Sequence, residues 1–455
     1  MKKAFFVFLF LLLFSNFSRA QYIKIFDFPG SDGSLPYGSL IFDSTILYGV
    51  ANQSIFKINP DGTGYTQLFN FSTAGALNGT SLQGSLYSDS TFLYGMANAG
   101  GVNDMGTIFK IKKNGTSFTK LLDFSGTANG SYSSSSFISD GTYLYSMTFD
   151  GGINAYGVVF KIKTDGTGYS KLLDFSGPDG ASPSGSLVYD GTYLYGMTWQ
   201  GGTAADGVLF KIKTDGTGDS VLLNFTGLNG SHPNGSLISD GTYLYGMTES
   251  GGTSVDGTIF KIKPDGTGYT KLLDFNSTNG SSPYGSLFYD GIFLYGLTQS
   301  GGLNNKGVLF KIKTDGTGYT NMFDFAGTNG STPFGSLISD SSFLYGMANV
   351  GGSYNDGVIF KYALFAGAGV SQIQDLSAQI SISPNPSSAI FQLTNAKKDK
   401  IYFKINNIIG EEVLSERETE DEETKVDLSG KPKGVYFIQI IDKNKNVANK
   451  KIIVQ

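Results

Sequence analysis

The chain of 455 residues has no cysteine, one histidine and one tryptophan, and a single glutamate lies between residues 21 and 363. Without cysteine there are no disulfides, thiolate metal ligands or cysteine nucleophiles, so an exported chain must rely on packing for stability. One histidine, His232, rules out histidine-rich metal sites. Any Ser-His-Asp relay would have to run through it, and no nucleophile-elbow motif accompanies it. A formal net charge of −5 gives no support for a nucleic-acid or anionic-membrane partner.

Long apolar runs are also missing, with one exception. Residues 4–14 are unbroken apolar sequence after Lys2 and Lys3, and Ser18 and Ala20 put small residues before Gln21. The run is shorter than the roughly 18 residues of a spanning helix. Its layout predicts a secretory signal over residues 1–20, cleaved between Ala20 and Gln21. No other stretch is apolar enough to span a bilayer, so a soluble mature protein is expected.

What the chain has is glycine, 63 residues of it, with 26 tyrosines and 36 phenylalanines. That mixture suits many tight turns between aromatic-rich strands. Self-similarity dominates. Leu-Tyr-Gly or a close variant recurs at Tyr48, Tyr94, Tyr145, Tyr195, Tyr245, Tyr295 and Tyr345. Phe-Lys begins at Phe56, Phe109, Phe160, Phe210, Phe260, Phe310 and Phe360, and Asp/Asn-Phe ends at Phe28, Phe71, Phe124, Phe175, Phe225, Phe275 and Phe325. One copy reads as four short strands at 235–239, 242–248, 257–263 and 269–275, with Asp-Gly turns after the first and third. Four-stranded units repeated seven times over residues 21–363 predict an all-β fold, a seven-bladed β-propeller. An open β-solenoid is the competing architecture. The ends favour closure: residues 22–28 form a lone fourth-type strand, and the last copy lacks its fourth, so one deficit fills the other.

Gly207-Val208-Leu209-Phe210, Asp215-Gly216-Thr217 and Leu194-Tyr195-Gly196-Met197-Thr198 with Gly201-Gly202 resemble the phrases of a bacterial tandem-repeat family, the GloVer-type choice-of-anchor proteins. The likeness covers every copy, although Val50-Ala51-Asn52-Gln53 lacks the double glycine in the first. It implies a surface location and no particular chemistry.

After residue 363 the composition shifts. Residues 364–377 read as a linker, and 378–455 as a small Ig-like β-sandwich of seven strands. The acidic run 418–423 reads as a solvated hairpin tip. Pro384-Asn385-Pro386, Gly410, Gly434 with Tyr436, and Lys450-Lys451 stand in the order of the type A C-terminal sorting domain of type IX secretion, which this segment resembles. Ser383 replaces the usual aromatic. The resemblance implies the type IX machinery as partner, passage through the outer membrane, removal of the domain, and attachment to the cell surface or release.

No catalytic constellation is legible, and no cofactor is implied. Most aspartates recur in register, which points to turns and strand ends. Calcium on the Asp-Gly-Thr-Gly turns lacks the dense oxygen ligands of an EF-type loop. His232 stands where other copies have Ser182, Ser282 and Thr332, so it reads as a tolerated loop substitution. Binding is expected instead where copies differ, on loops such as 199–206 and 226–234 that share one face. Tyr37, Tyr284 and Phe334 precede Gly-Ser-Leu in copies one, six and seven, and Phe149 and Trp199 follow the second strand in copies three and four. With Gln200 and Asp150 as polar partners, they predict a carbohydrate-stacking surface on a monomeric, non-catalytic binding protein. The alternative is a secreted polysaccharide hydrolase or lyase working through loop aspartates.

Overall fold

The computed structural model describes residues 21–30, 33–43, 45–364, 380–385, 387–396, 398–407, 412–442 and 447–454. The expected signal with Ala20, most of the expected linker, Pro386 and Gly410 lie outside the described residues. Among the described residues no helix is long and apolar enough to cross a membrane. The chain divides into two compact units, one of which is Tyr22–Leu364.

That unit is all-β, built of seven four-stranded antiparallel sheets. The fifth is representative, with strands Ile238–Ser239, Leu244–Thr248, Thr258–Ile262 and Thr270–Asp274. Side chains alternate across a strand, so a sheet covered on both sides needs bulk at every position. Leu244 and Phe260 join the core shared with the fourth sheet, while Tyr245 and Met247 join the core shared with the sixth. Gly246 lies opposite Phe260 in register, and a Cβ on it would sit 2.6 Å from that ring. The recurring Leu-Tyr-Gly is therefore one residue for each neighbouring core and one gap for the phenylalanine.

The Gly-Ser-Leu phrase has a different cause. A Cβ on Gly235 would lie 2.2 Å from the Gly285 carbonyl oxygen of the next sheet. Beside it, Ser236 N donates to Ser286 Oγ at 2.7 Å. The same bond runs from Ser39 to Ser85, Ser136, Ser186, Ser236, Ser286 and Ser336, and Ser336 N returns to Ser39 Oγ at 2.7 Å. These bonds run between sheets and not between strands of one sheet, which is why the expected strand 235–239 shortens to Ile238–Ser239.

Closure falls where the complementary ends place it. Tyr22–Asp27 pairs antiparallel with Val358–Ala363, Tyr22 opposite Tyr362. Tyr22 stacks on Phe323 at 4.0 Å and donates its hydroxyl to the Asn329 carbonyl, as Tyr169 does to Asn129 and Tyr269 to Asn229. Phe28 is buried with Tyr345 and Met347 of the seventh sheet and Leu47 and Phe56 of the first. The N-terminal strand therefore makes the pairing, the tyrosine bond and the core contact of an ordinary fourth strand.

The C-terminal unit has a sheet of Ile380–Ser383, Ile390–Asn395 and Glu423–Asp427 and another of Glu412–Thr419, Ile401–Asn407, Gly434–Asp442 and Val447–Val454, all antiparallel. Alternate residues Ile401, Phe403 and Ile405 meet Phe391, Leu393 and Val426 in one core. The acidic run 418–423 is not a hairpin tip: Glu412–Thr419 and Glu423–Asp427 belong to different sheets, so it is a crossing between them. The solvation expected of it holds, with Glu422 and Glu418 paired to Lys398 and Lys400 at the surface.

Candidate binding site on the loop face

The recurring aspartates are occupied by their own turns. Asp140 Oδ1 accepts from the Thr142 and Tyr143 amides, and Oδ2 from the Tyr145 hydroxyl at 2.7 Å. Asp165 Oδ1 accepts from the amide and hydroxyl of Thr167. Asp174 Oδ1 accepts from Ile153 N at 2.9 Å and is paired with Lys171. Each holds a turn or a loop, as recurrence in register implies.

On the other side of the sheets, the connection from second to third strand lies against the one from fourth to first. In the fifth repeat Ser231 bridges Ser250, and Gly252 N donates to Gly227 O. Here the residues that do not recur meet. Trp199 lies 6.4 Å from Phe149 and 4.8 Å from His232, centroid to centroid. Its Nε1 donates to Glu249 Oε2 at 3.4 Å, and the buried Asn234 amide donates to the same oxygen. His232 Nδ1 is 3.1 Å from Ser250 Oγ and 3.2 Å from Ser231 Oγ.

The fourth repeat differs from the expected loop. Its second strand, Tyr193–Gln200, runs through Trp199 and Gln200, because Ala181–Tyr189 pairs with it as far as Ala181 opposite Gln200. Trp199 is therefore half-buried on a strand end, and Gln200 beside it is exposed. Asp150 is half-buried next to Phe149, and burial pushes its carboxyl above the ordinary value.

Tyr37, Phe334 and Tyr284 also come together, with centroids 5.2 Å apart for Tyr37 and Phe334 and 4.9 Å for Tyr284 and Phe334. Burial pushes the Tyr284 phenol up, and the Glu249 charge adds to the shift. Glu249 thus stands between the two aromatic groups. Sequence reasoning passed over His232, Asn234 and Glu249. A signal was present: the sole tryptophan, the sole histidine and the sole glutamate of the repeats fall in one cluster.

In the C-terminal unit, Asn385 Oδ1 accepts from Ile453 N at 2.9 Å, tying the first motif to the last strand. Tyr436 is buried, Gly434 opens its strand, and Lys450 and Lys451 pair in register with Ile438 and Phe437.

The Gloeobacter/Verrucomicrobia repeat matches over residues 133–243 and 220–402, and the secretion system C-terminal sorting domain over 381–455. No curated protein matches the chain. Among solved structures, a B. thetaiotaomicron extracellular domain ascribed to a one-component system is similar at TM-score 0.53 and 14% identity, over 96% of this chain and 59% of that one. The chain thus spans about three-fifths of that structure's length. A chain of a mitotic checkpoint complex is similar at TM-score 0.51 and 14% identity, over 76% of this chain and 94% of that one. At such identities the likeness carries a propeller-like fold and nothing about activity.

Proposed function

Because the chain belongs to the Gloeobacter/Verrucomicrobia repeat family and its type IX sorting domain takes it to the cell surface or the extracellular space, we propose that it is a monomeric, non-catalytic carbohydrate-binding protein. We read the seven sheets as a seven-bladed β-propeller and the C-terminal unit as an Ig-like sandwich that engages the secretion machinery. The observation carrying the binding reading is the meeting of Trp199, His232 and Glu249 on the loop face. Trp199 is the stacking platform, extended by Phe149, with Gln200 and Asp150 alongside. Glu249, held by Asn234, supplies a carboxylate oxygen for sugar hydroxyls. Tyr284, Phe334 and Tyr37 continue the surface toward the Gly-Ser ring.

The sole tryptophan makes the test direct. Titrating soluble glycans into the protein should shift Trp199 fluorescence, and Trp199→Ala should remove about 1–3 kcal/mol of binding. Its melting temperature should fall by only a few degrees. The absence of any spectral shift across neutral and acidic glycans would sink the site. Release of new reducing or unsaturated ends from a polysaccharide would overturn the non-catalytic reading in favour of a hydrolase or lyase.

A further inference from the structure

We propose that the first repeat carries a second site, a pocket for a single neutral sugar ring, which does not depend on the Trp199 cluster. In the fifth repeat the loop between second and third strands runs from Thr248 to Thr258, which face each other in register. In the first repeat Ala51 faces Ser54, with only Asn52 and Gln53 between them. The missing loop leaves a cavity of about 240 Å³ on the loop face, lined by Asn52, Gln53, Gln67 and Asn70. Ser34, Ser54 and Ser72 add hydroxyls, and Gly30 and Gly33 complete the wall.

A second change falls at the same place. Where the loop is present, Asp274 Oδ1 accepts from Thr253 N and is held by Lys271 at 2.9 Å. The ion pair recurs as Lys24–Asp27, Lys120–Asp123 and Lys171–Asp174. In the first repeat both members are carboxamides, and Asn70 Nδ2 donates to Gln67 Oε1 at 3.4 Å. Loss of the loop alone would have left a charged pair facing the cavity. Instead both charges have gone together and hydrogen-bonding groups have stayed.

Among the described residues the lining carries no charged side chain. An anion or cation would find no counter-charge, and an apolar ligand would bury amides and hydroxyls without partners. Each carboxamide offers donors and acceptors together, which is what a ring of hydroxyls presents in return. Asn70 is positioned by accepting from the Ser72 amide at 2.9 Å and hydroxyl at 2.5 Å, while its contact with Gln67 uses one of its two donors. The small volume suits one terminal hexose rather than a chain held along its length.

The test uses saturation-transfer NMR on the full mature chain with methyl glucoside, galactoside and mannoside, and with glucuronate and glucosamine as charged comparisons. It is run in the Trp199→Ala background, so that failure of the Trp199 site leaves the result readable. At least one neutral hexoside should show transfer, and the charged sugars should not. Gln67→Lys with Asn70→Asp restores the ion pair that other repeats carry, so it keeps the fold while charging the pocket. It should weaken neutral binding at least tenfold at an unchanged melting temperature. No transfer to any hexoside, equal transfer to the charged sugars, or transfer indifferent to the double substitution would overturn the proposal. If the double substitution unfolds the chain, Gln53→Ala replaces it and should cause the same loss. Binding that persists in that variant would equally overturn the proposal.

Discussion

In the fourth repeat the first two strands extend to Ala181–Tyr189 and Tyr193–Gln200, whereas in the first repeat the corresponding strands are Ile41–Asp43 and Ile46–Ala51. One repeat adds backbone pairing on the loop face and carries a tryptophan out on it. The other removes a loop and opens a polar cavity. Yet the sheets beneath are the same: Gly49 lies under Phe56 and Gly196 under Phe210, with virtual Cβ contacts of 2.5 and 2.7 Å. The loop face can vary because the frame holding each sheet to its neighbours lies in strand interiors and in the Gly-Ser ring. Rigid elements with differing connections are the usual arrangement for acquiring binding surfaces.

The largest expected effect breaks the frame itself. Deleting residues 22–28 removes the strand that pairs with Val358–Ala363 and the phenylalanine shared by the first and seventh sheets. It leaves an open sheet edge, and such edges template aggregation. The truncated chain should lose its cooperative melting transition or sediment as oligomers, whereas an unchanged transition and a monomeric profile would show that closure is dispensable. A smaller effect compares the two divergent repeats directly. Gly49→Val and Gly196→Val each force a branched side chain into a phenylalanine ring, and each should cost about 1–3 kcal/mol in chemical denaturation. A first-repeat variant tolerated much better than the fourth would mean that losing the loop has loosened the sheet as well.

The frame was legible in the sequence because it repeats. Leu-Tyr-Gly, Phe-Lys and the Asp-Gly turns each occur once per copy, so their spacing gave the sheet count, the strand order and the complementary ends. Strand lengths were less legible. Gly235 and Ser236 look like strand residues, but they bond to the next sheet, and a single copy read alone contains no neighbour. The same limit hid the site. Trp199 and Glu249 belong to different copies, so aligning copies puts them in one column, where they look like alternatives. The ring turns that column into neighbours, and the two side chains touch. The pocket was half visible: the missing double glycine of the first copy is plain in the sequence, but what its absence uncovers depends on Gln67 and Asn70, more than a dozen residues away along the chain.

The smallest effect sharpens the comparison on the opposite face, where the first repeat again stands apart. Asp89, Asp140 and Asp190 each accept from the tyrosine hydroxyl of the next strand, while Asp43 pairs with Lys113 of the second sheet at 2.6 Å. Burial pushes the Asp190 carboxyl up, but the Tyr193 and Thr192 amides and the Tyr195 hydroxyl outweigh it and hold the group below its ordinary 3.8. Asp89 and Asp140 are lowered in the same way. A carboxylate whose folded value is depressed contributes stability that is complete above the unfolded value and is lost as the pH falls through the folded one. Melting temperature should therefore be flat on this account above about pH 5 and decline below pH 3.8. Asp190→Asn keeps an acceptor for the turn but cannot titrate. It should cost about 1 kcal/mol at neutral pH and make the decline below pH 3.8 shallower. An Asp190→Asn protein with the same acid slope as the parent would mean that the turn carboxylates do not set the acid limit of the fold.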